Sequence, residues 1–177
     1  ELSITPLFYY KGRWVPVDTD GNGEADSWGK AYSSTTEGQL DQIGQFRCAS
    51  EDSIPVSGLD PEDTRFNGLL DANNGDTEDI DADDTLEPEN TATVSPGTVT
   101  TDDTGFAQFV VAYLQGNATW TRVRLKGTVS VAGSERSETT IFDLRVLADD
   151  VSDLEVPPPG ATEQGPYGEI GDCTDSR

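Results

Sequence analysis

Oxygen-bearing side chains at alternate positions of segment 18–26 are the residues of this chain best suited to bind a metal ion. The segment reads DTDGNGEAD, with a glycine at its sharp turn. Calcium is a hard cation that takes about 6–8 oxygen ligands, and a short loop with oxygens at positions 1, 3, 5, 7 and 9 can wrap around it. The spacing therefore predicts Ca²⁺ ligands at Asp18, Asp20, Asn22, Glu24 and Asp26.

Two features leave this prediction open to an alternative. Position 12 of the loop, where helix-loop-helix calcium sites have a bidentate Glu, is Gly29, so a further ligand must come from elsewhere in the fold or from water. Clusters of Asp, Asn and Gly also form tight turns without any metal.

The segment from Asp60 to Asn90 is the most acidic part of the chain, with twelve Asp and Glu against the single basic residue Arg65. Carboxylates at this density repel one another, so the segment is either disordered or gathered around cations. It repeats the alternate spacing twice, although Arg65 and Asp84 interrupt the pattern. The candidate ligands are Asp63, Asn67 and Asp71 in the first loop, and Asp79, Asp81, Asp83 and Glu87 in the second.

Composition limits the partners and the chemistry. The net charge of −23 and the isoelectric point near 4.1 argue against nucleic acid and anionic membranes as partners and favour divalent cations. The same acidity is also typical of adaptation to a salty medium. The chain has no histidine and no CxxC pair, which argues against zinc sites, haem attachment and histidine-dependent catalysis.

The two cysteines, Cys48 and Cys173, are predicted to form a disulfide, because the acidic loops and the Thr/Ser/Gly-rich surface suit an extracellular setting. Buried free thiols are the alternative. No apolar run approaches the ~18 residues that span a bilayer. Since the chain starts at Glu1, we expect a mature secreted product or a domain of a larger protein.

The strand signals are numerous, and no amphipathic helix of three turns is visible. Segment 2–10 is rich in strand formers, with Pro6 suiting an edge or a bulge. Residues 13–17 and 42–48 predict short strands. Segment 91–101 predicts a strand, a kink at Pro96 and a second strand, and residues 102–105 predict a turn. The apolar run 106–114 predicts either a central strand buried on both faces or a strand at a domain contact.

Segment 119–131 has the clearest period of two, and residues 135–147 return from the turn at 132–134, which predicts a half-buried β-hairpin. Five of the eleven basic residues lie in this hairpin. They predict either a binding surface for an acidic partner, which could be this chain's own loops or a neighbour, or ordinary cross-strand ion pairs with Glu135, Glu138 and Asp143. The whole pattern predicts an all-β sandwich over 1–155 and an extended Pro/Gly-rich tail over 156–177.

The segment NTATVSPGTVTTDDTGFAQFVVAY resembles bacterial immunoglobulin-like domains of invasin- and intimin-type surface proteins. The residues that carry the resemblance are Val99 to Asp102, the Gly105-Phe106-Ala107 step and the strand that follows. The order of Cys48, the acidic loops, these strands and the tail ending near Cys173 is similar to that of some large exported proteins of marine bacteria. The resemblance covers most of residues 45–177 and implies an Ig-like β-sandwich, a cell-surface or extracellular location, and no catalytic residues.

We therefore expect a non-catalytic structural or adhesive module that is stiffened by calcium and contacts neighbouring Ig-like domains or other subunits. One alternative is a filament subunit that donates its N-terminal strand, residues 2–10, to a neighbour in a homopolymer with calcium at the contacts. Another is an enzyme or carbohydrate-binding domain in which Trp14, Trp28 and Trp120 form sugar platforms.

Overall fold

The computed structural model describes residues 1–36, 38–53, 72–73, 76–77, 86–131, 133–159 and 163–174. Within these ranges the chain is all-β, and every strand pair is antiparallel. The strands are β1 (Leu2–Lys11), β2 (Arg13–Val17), β3 (Ser27–Tyr32), β4 (Gln42–Ile43), β5 (Phe46–Ala49), β6 (Ala72–Asn73), β7 (Asp76–Thr77), β8 (Ala92–Ser95), β9 (Val110–Tyr113), β10 (Thr121–Val131) and β11 (Ser134–Asp143).

Helical structure is confined to short turns. One turn of α-helix, α1, covers Asp149–Ser152, and 3₁₀ turns cover Glu51–Ser53 and Gln115–Asn117. No helix in the ranges given above is long and apolar enough to span a bilayer.

The largest sheet has the strand order β11-β10-β1-β5. Its register shifts between Pro6 and Phe8, as expected for a bulge that accommodates a proline without a backbone N–H. The strand is not at an edge, however, because β10 pairs with it on one side and β5 on the other. The N-terminal strand thus lies inside the sheet of its own chain, and its donation to a neighbour stays a prediction.

The predicted hairpin is confirmed as β10 and β11, which pair from Arg122↔Asp143 to Val131↔Ser134. Val123 is fully buried, whereas Val129 is 57 % exposed. The reason is that β1 begins with Leu2 opposite Gly127, so β1 does not pair with the part of β10 beyond Gly127. The predicted ion pairing is confirmed for Arg122, which donates two hydrogen bonds of 2.8 Å to the Asp143 carboxylate.

A smaller sheet has the order β2-β3-β4. The prediction of a single strand over 42–48 is wrong, because β4 belongs to this sheet and β5 to the larger one. Gly44 lies between the two strands with φ of 121°, a backbone conformation that a side chain would strain, and there the chain changes sheets. Ile43 on β4 is 82 % exposed.

Strands β8 and β9 form a separate two-stranded ribbon. The prediction of a central strand over 106–114 is wrong: only Val110–Tyr113 is extended in a ladder, and Phe106 and Leu114 are 73 % and 65 % exposed. The expected second strand beyond Pro96 does not form either. The turn at Asp102 is confirmed, since its carboxylate accepts hydrogen bonds from the backbone N–H groups of Thr104 and Phe106.

Two apolar clusters hold the sheets together. The aromatic cluster joins the two main sheets and consists of Tyr9, Tyr10, Trp14, Trp28, Cys48, Trp120 and Tyr167. The aliphatic cluster lies under the β8–β9 ribbon and has Ile4, Ala92, Val123 and Leu144 at its centre. Val94 and Val111, one from each ribbon strand, pack against it, so the ribbon is docked by one face only.

The segment 163–174 of the predicted tail has no regular helix or strand, as expected, yet it is docked on the body. The N–H of Gly12 donates to the carbonyl of Gly168 at 2.8 Å, and the N–H of Ser33 donates to that of Glu169 at 2.9 Å. The predicted disulfide is present and joins Cys48 on β5 to Cys173, with Cα atoms 5.6 Å apart.

Lys30 is enclosed where the two main sheets meet. Its Nζ lies 4.3 Å from the ring centroid of Trp120 and 5.3 Å from that of Trp14, and donates hydrogen bonds to Gln45 Oε1 and the Thr119 carbonyl. Burial lowers the pKa of the Lys30 amine to about 7, while the charge of Asp143 acts in the opposite direction. A neutral amine has two N–H groups, enough to satisfy both acceptors.

Because the folded-state pKa of Lys30 lies below its ordinary value of 10.5, the unfolded chain binds more protons between the two values, and stability should rise with pH in that window. Below about pH 7 the amine is protonated in both the folded and the unfolded state, so the full free-energy cost of burying the charge is present and this group adds no further pH dependence. We expect the free energy of unfolding to increase by about 1–3 kcal/mol from pH 7 to 10. Urea denaturation across this range measures the slope, which Lys30→Met should remove; an equal slope in both proteins would assign it to other groups.

Candidate metal centre

The loop 18–26 is the tip of the hairpin formed by β2 and β3. The pair Val17↔Ser27 closes the ladder, and the N–H of Asp26 donates to the carbonyl of Val17 at 2.9 Å. The alternation of strand residues ends where the acidic and glycine residues begin, since these favour turns over ladders. The hairpin thus holds both ends of the loop on a rigid base.

Backbone N–H groups orient the first carboxylate of the loop. Asp18 Oδ1 accepts from Gly21 at 2.7 Å and from Asn22 at 3.2 Å, and Oδ2 accepts from Gly23 at 2.7 Å. These bonds, led by that from Gly23, lower the pKa of the Asp18 carboxyl. Gly21 and Gly23 have φ of 79° and 93°, values that let the chain fold back over this carboxylate.

The other oxygen donors are held in a similar way. The backbone N–H of Asn22 donates to Asp20 Oδ1 at 3.1 Å, and the Asn22 Oδ1 accepts from the backbone N–H of Glu24 at 2.7 Å. Thr19 fixes Asp26 by donating its hydroxyl to Oδ1 at 2.7 Å. The donor set of the loop is therefore preorganised before any ion binds.

Asp18, Asp20 and Asp26 each bring one carboxylate oxygen into a group in which all three atoms lie within 4.8 Å of one another. All three residues are exposed. Like charges this close repel, and a divalent cation among them would turn the repulsion into attraction. The all-oxygen donor set fits calcium, and the third acid at loop position 9 is where the sequence predicts a ligand. Glu24 lies outside the group.

The missing ligand at loop position 12 has a structural reason. Gly29 lies on β3 opposite Val15, and a Cβ atom built on it would come within 2.6 Å of a methyl group of Val17. A bidentate Glu cannot stand there without moving β2. Any ion in this loop would complete its coordination with water or with a group from outside the hairpin.

Of the candidate ligands in the acidic segment, only Glu87 lies among the residues with described side chains, and it is 8 % exposed. Its backbone N–H donates to Glu51 Oε2 at 2.9 Å, and its carbonyl accepts from the N–H of Glu51 at 2.8 Å. Outside the described residues lie Asp63, Asn67, Asp71, Asp79, Asp81 and Asp83.

The sequence interpretation did not single out Thr19, although its hydroxyl fixes Asp26. A signal was present, because a hydroxyl directly after the first acid of a loop can bond an acid across the turn. The three tryptophans proposed as sugar platforms are buried, and the rings of Trp14 and Trp120 meet edge-on at 81° with centroids 5.6 Å apart. They present no flat exposed surface to a sugar.

No protein-family model, no curated protein and no solved structure gives a significant match.

Proposed function

We propose that this chain is a non-catalytic, extracellular structural or adhesive module whose loop 18–26 binds calcium and is stiffened by it. One observation carries the proposal, the convergence of Asp18, Asp20 and Asp26 at the tip of a rigid hairpin. Calcium bound there would link the two ends of the loop, since the first and last of these acids adjoin β2 and β3 respectively.

An extracellular location is supported by the disulfide between Cys48 and Cys173. Such bonds persist in oxidising compartments and are rare in the cytosol of mesophiles. Calcium at the concentrations found outside cells would suit a loop of this kind, because extracellular sites bind in the range of about 10⁻⁴–10⁻³ M.

The Ig-like architecture remains part of this proposal. It is supported by antiparallel sheets of short strands, by a ribbon packed face to face on the largest sheet, and by the aliphatic cluster between them. A donated N-terminal strand is the alternative for a filament. An intermolecular strand would have to take the place that β1 now holds between β10 and β5.

The calcium proposal predicts that millimolar CaCl₂ raises the melting temperature relative to a chelator. Ligand at a hundredfold excess over its Kd stabilises by about 2.7 kcal/mol, and each kcal/mol shifts the melting temperature of a chain of this size by about 2–4 °C. Replacing Asp18 and Asp20 together by Asn should reduce this rise, because it removes two of the three converging charges. Scanning calorimetry with and without chelator measures both quantities.

Asp102→Asn is the matched control. Asp102 accepts backbone N–H groups in a turn much as Asp18 does, but it is no member of the converging group of acids. The Asp102→Asn variant should keep the full calcium-dependent rise in melting temperature. A wild-type melting curve that is the same with calcium and with chelator would refute the proposal, and a rise retained in the Asp18/Asp20 variant would move the site to the acidic segment 60–90.

A further inference from the structure

Apart from Asp102 and Asp103 in the turn that joins β8 and β9, the ribbon and its flanking residues carry no charge, although the chain is strongly acidic. Segments 91–101 and 104–121 contain no Asp, Glu, Lys or Arg, although a quarter of the chain is charged and the net charge is −23. Exposed apolar side chains collect there, at Phe106, Phe109, Val110, Tyr113 and Leu114. We call this surface the neutral face.

The neutral face is concave next to the ribbon. A cleft of about 530 Å³ lies between the end of β8 and the residues that lead into β9. Its lining carries no charge and consists of Ser95, Pro96, Ala107, Gln108, Phe109 and Val110. Phe109 and Val110 of this lining are exposed to solvent, and clustered exposed apolar side chains are typical of a contact surface.

The neutral face also includes a free sheet edge. Among the described residues β9 pairs with β8 alone, so one side of it has no neighbouring strand. The N–H of Leu114 donates to the carbonyl of Thr91, and in an antiparallel ladder every second residue bonds the same neighbour. Val111 and Tyr113 therefore direct their N–H and C=O groups toward the open side.

We propose that the neutral face is a contact with a second copy of this chain, formed by antiparallel pairing of β9 with β9 across a two-fold axis. In the register centred on Ala112, Val111 of each copy pairs with Tyr113 of the other, which forms four backbone hydrogen bonds between the copies. The two ribbons then make one four-stranded sheet, and the apolar side chains beside it cover each other.

Charge decides in favour of a second copy. A basic partner would bind to carboxylates, and β9 and the lining of the cleft offer none; an anionic lipid surface would be repelled by the net charge of −23. A second copy matches β9 and the cleft with an equally uncharged surface. Since the rest of each copy is acidic, long-range repulsion opposes the pairing, and salt screens that repulsion.

The contact should therefore strengthen with salt, which is the opposite of a contact made by ion pairs. Sedimentation of the wild-type chain with chelator present should give a monomer at about 0.05 M NaCl and a growing dimer fraction at about 0.5 M, where the screening length is much shorter. Chelator removes calcium from the comparison, so the outcome is independent of the calcium site.

Charge swaps at Ala112 test the register, because this exposed residue faces its own copy across the two-fold axis. Ala112→Glu and Ala112→Lys should each lower the association constant at least tenfold, whereas an equimolar mixture of the two should restore association as a heterodimer. Gln39→Glu, an added charge on an exposed loop elsewhere, should associate like the wild type.

Three outcomes would overturn the proposal. They are a chain that stays monomeric at every salt and protein concentration, a dimer indifferent to both Ala112 substitutions, and variants that fail singly but are not rescued by mixing. Binding of the monomer to vesicles of zwitterionic lipid, abolished by Ala112→Glu, would assign the neutral face to a membrane surface instead.

Discussion

Replacing Cys48 and Cys173 together by alanine should lower the free energy of unfolding by about 4–5 kcal/mol, the largest effect we expect from any change in this chain. The bond joins residues 125 positions apart, and closing so long a loop removes much of the conformational entropy of the unfolded state. Stabilities of single domains are only about 5–15 kcal/mol, so the loss is a large fraction of the total.

Urea denaturation of the oxidised chain and of the double alanine variant measures this difference. The reduced wild-type chain is the matched control and should unfold at the same midpoint as the variant. Segment 163–174 should exchange its amide hydrogens faster in both, because the covalent link that fastens it to β5 is then lost. Equal midpoints for the oxidised chain and the variant would contradict the entropic account.

Trp120→Ala should cost about 3–5 kcal/mol, the range found when a buried aromatic side chain is removed. Trp120 is 1 % exposed and contacts Trp14 and the amine of Lys30. Its ring also supports the tail, since a Cβ atom built on Gly165 would lie 3.1 Å from it. The cavity left by this substitution would therefore weaken both the contact between the two main sheets and the docking of segment 163–174.

Chemical denaturation followed by circular dichroism checks this value without depending on tryptophan fluorescence. Val156→Ala is the control, because Val156 is 58 % exposed and its truncation should change the stability by no more than about 0.5 kcal/mol. A loss for Trp120→Ala as small as that for Val156→Ala would mean that the aromatic cluster contributes little.

The hairpin of β10 and β11 was predictable because its signal is local. Its period of two and its glycine turn lie within one continuous segment. The burial expected from the alternation is found only in the part near Val123, because most of β11 is exposed. The disulfide could also be inferred, but from composition rather than from position, since nothing in the sequence brings β5 and the tail together.

The interpretation of the run 106–114 as a central strand was wrong because an uninterrupted apolar sequence indicates burial without saying what covers it. Here one face of β9 is covered by the aliphatic cluster, while the flanking residues stay exposed. The division of 42–48 between two sheets was equally hidden, because the partner of a two-residue strand such as β4 is chosen by tertiary contacts.

In the metal centre, spacing alone brought Asp18, Asp20 and Asp26 together, because loop positions 1, 3 and 9 follow from turn geometry. Spacing could not predict why position 12 of the loop is a glycine, which is that a side chain on Gly29 would collide with Val17. That reason depends on Val17 on the neighbouring strand, which is a contact of the folded hairpin rather than of the sequence.

The pair of hydrogen bonds between Glu51 and Glu87 has a consequence for how this protein can vary. These hydrogen bonds hold two residues that are 36 positions apart in the sequence next to each other. The entropic cost of closing a loop grows only logarithmically with its length, so a change in the number of residues between Glu51 and Glu87 should cost little stability. The acidic segment between these residues is thus a natural place for grafting a foreign sequence.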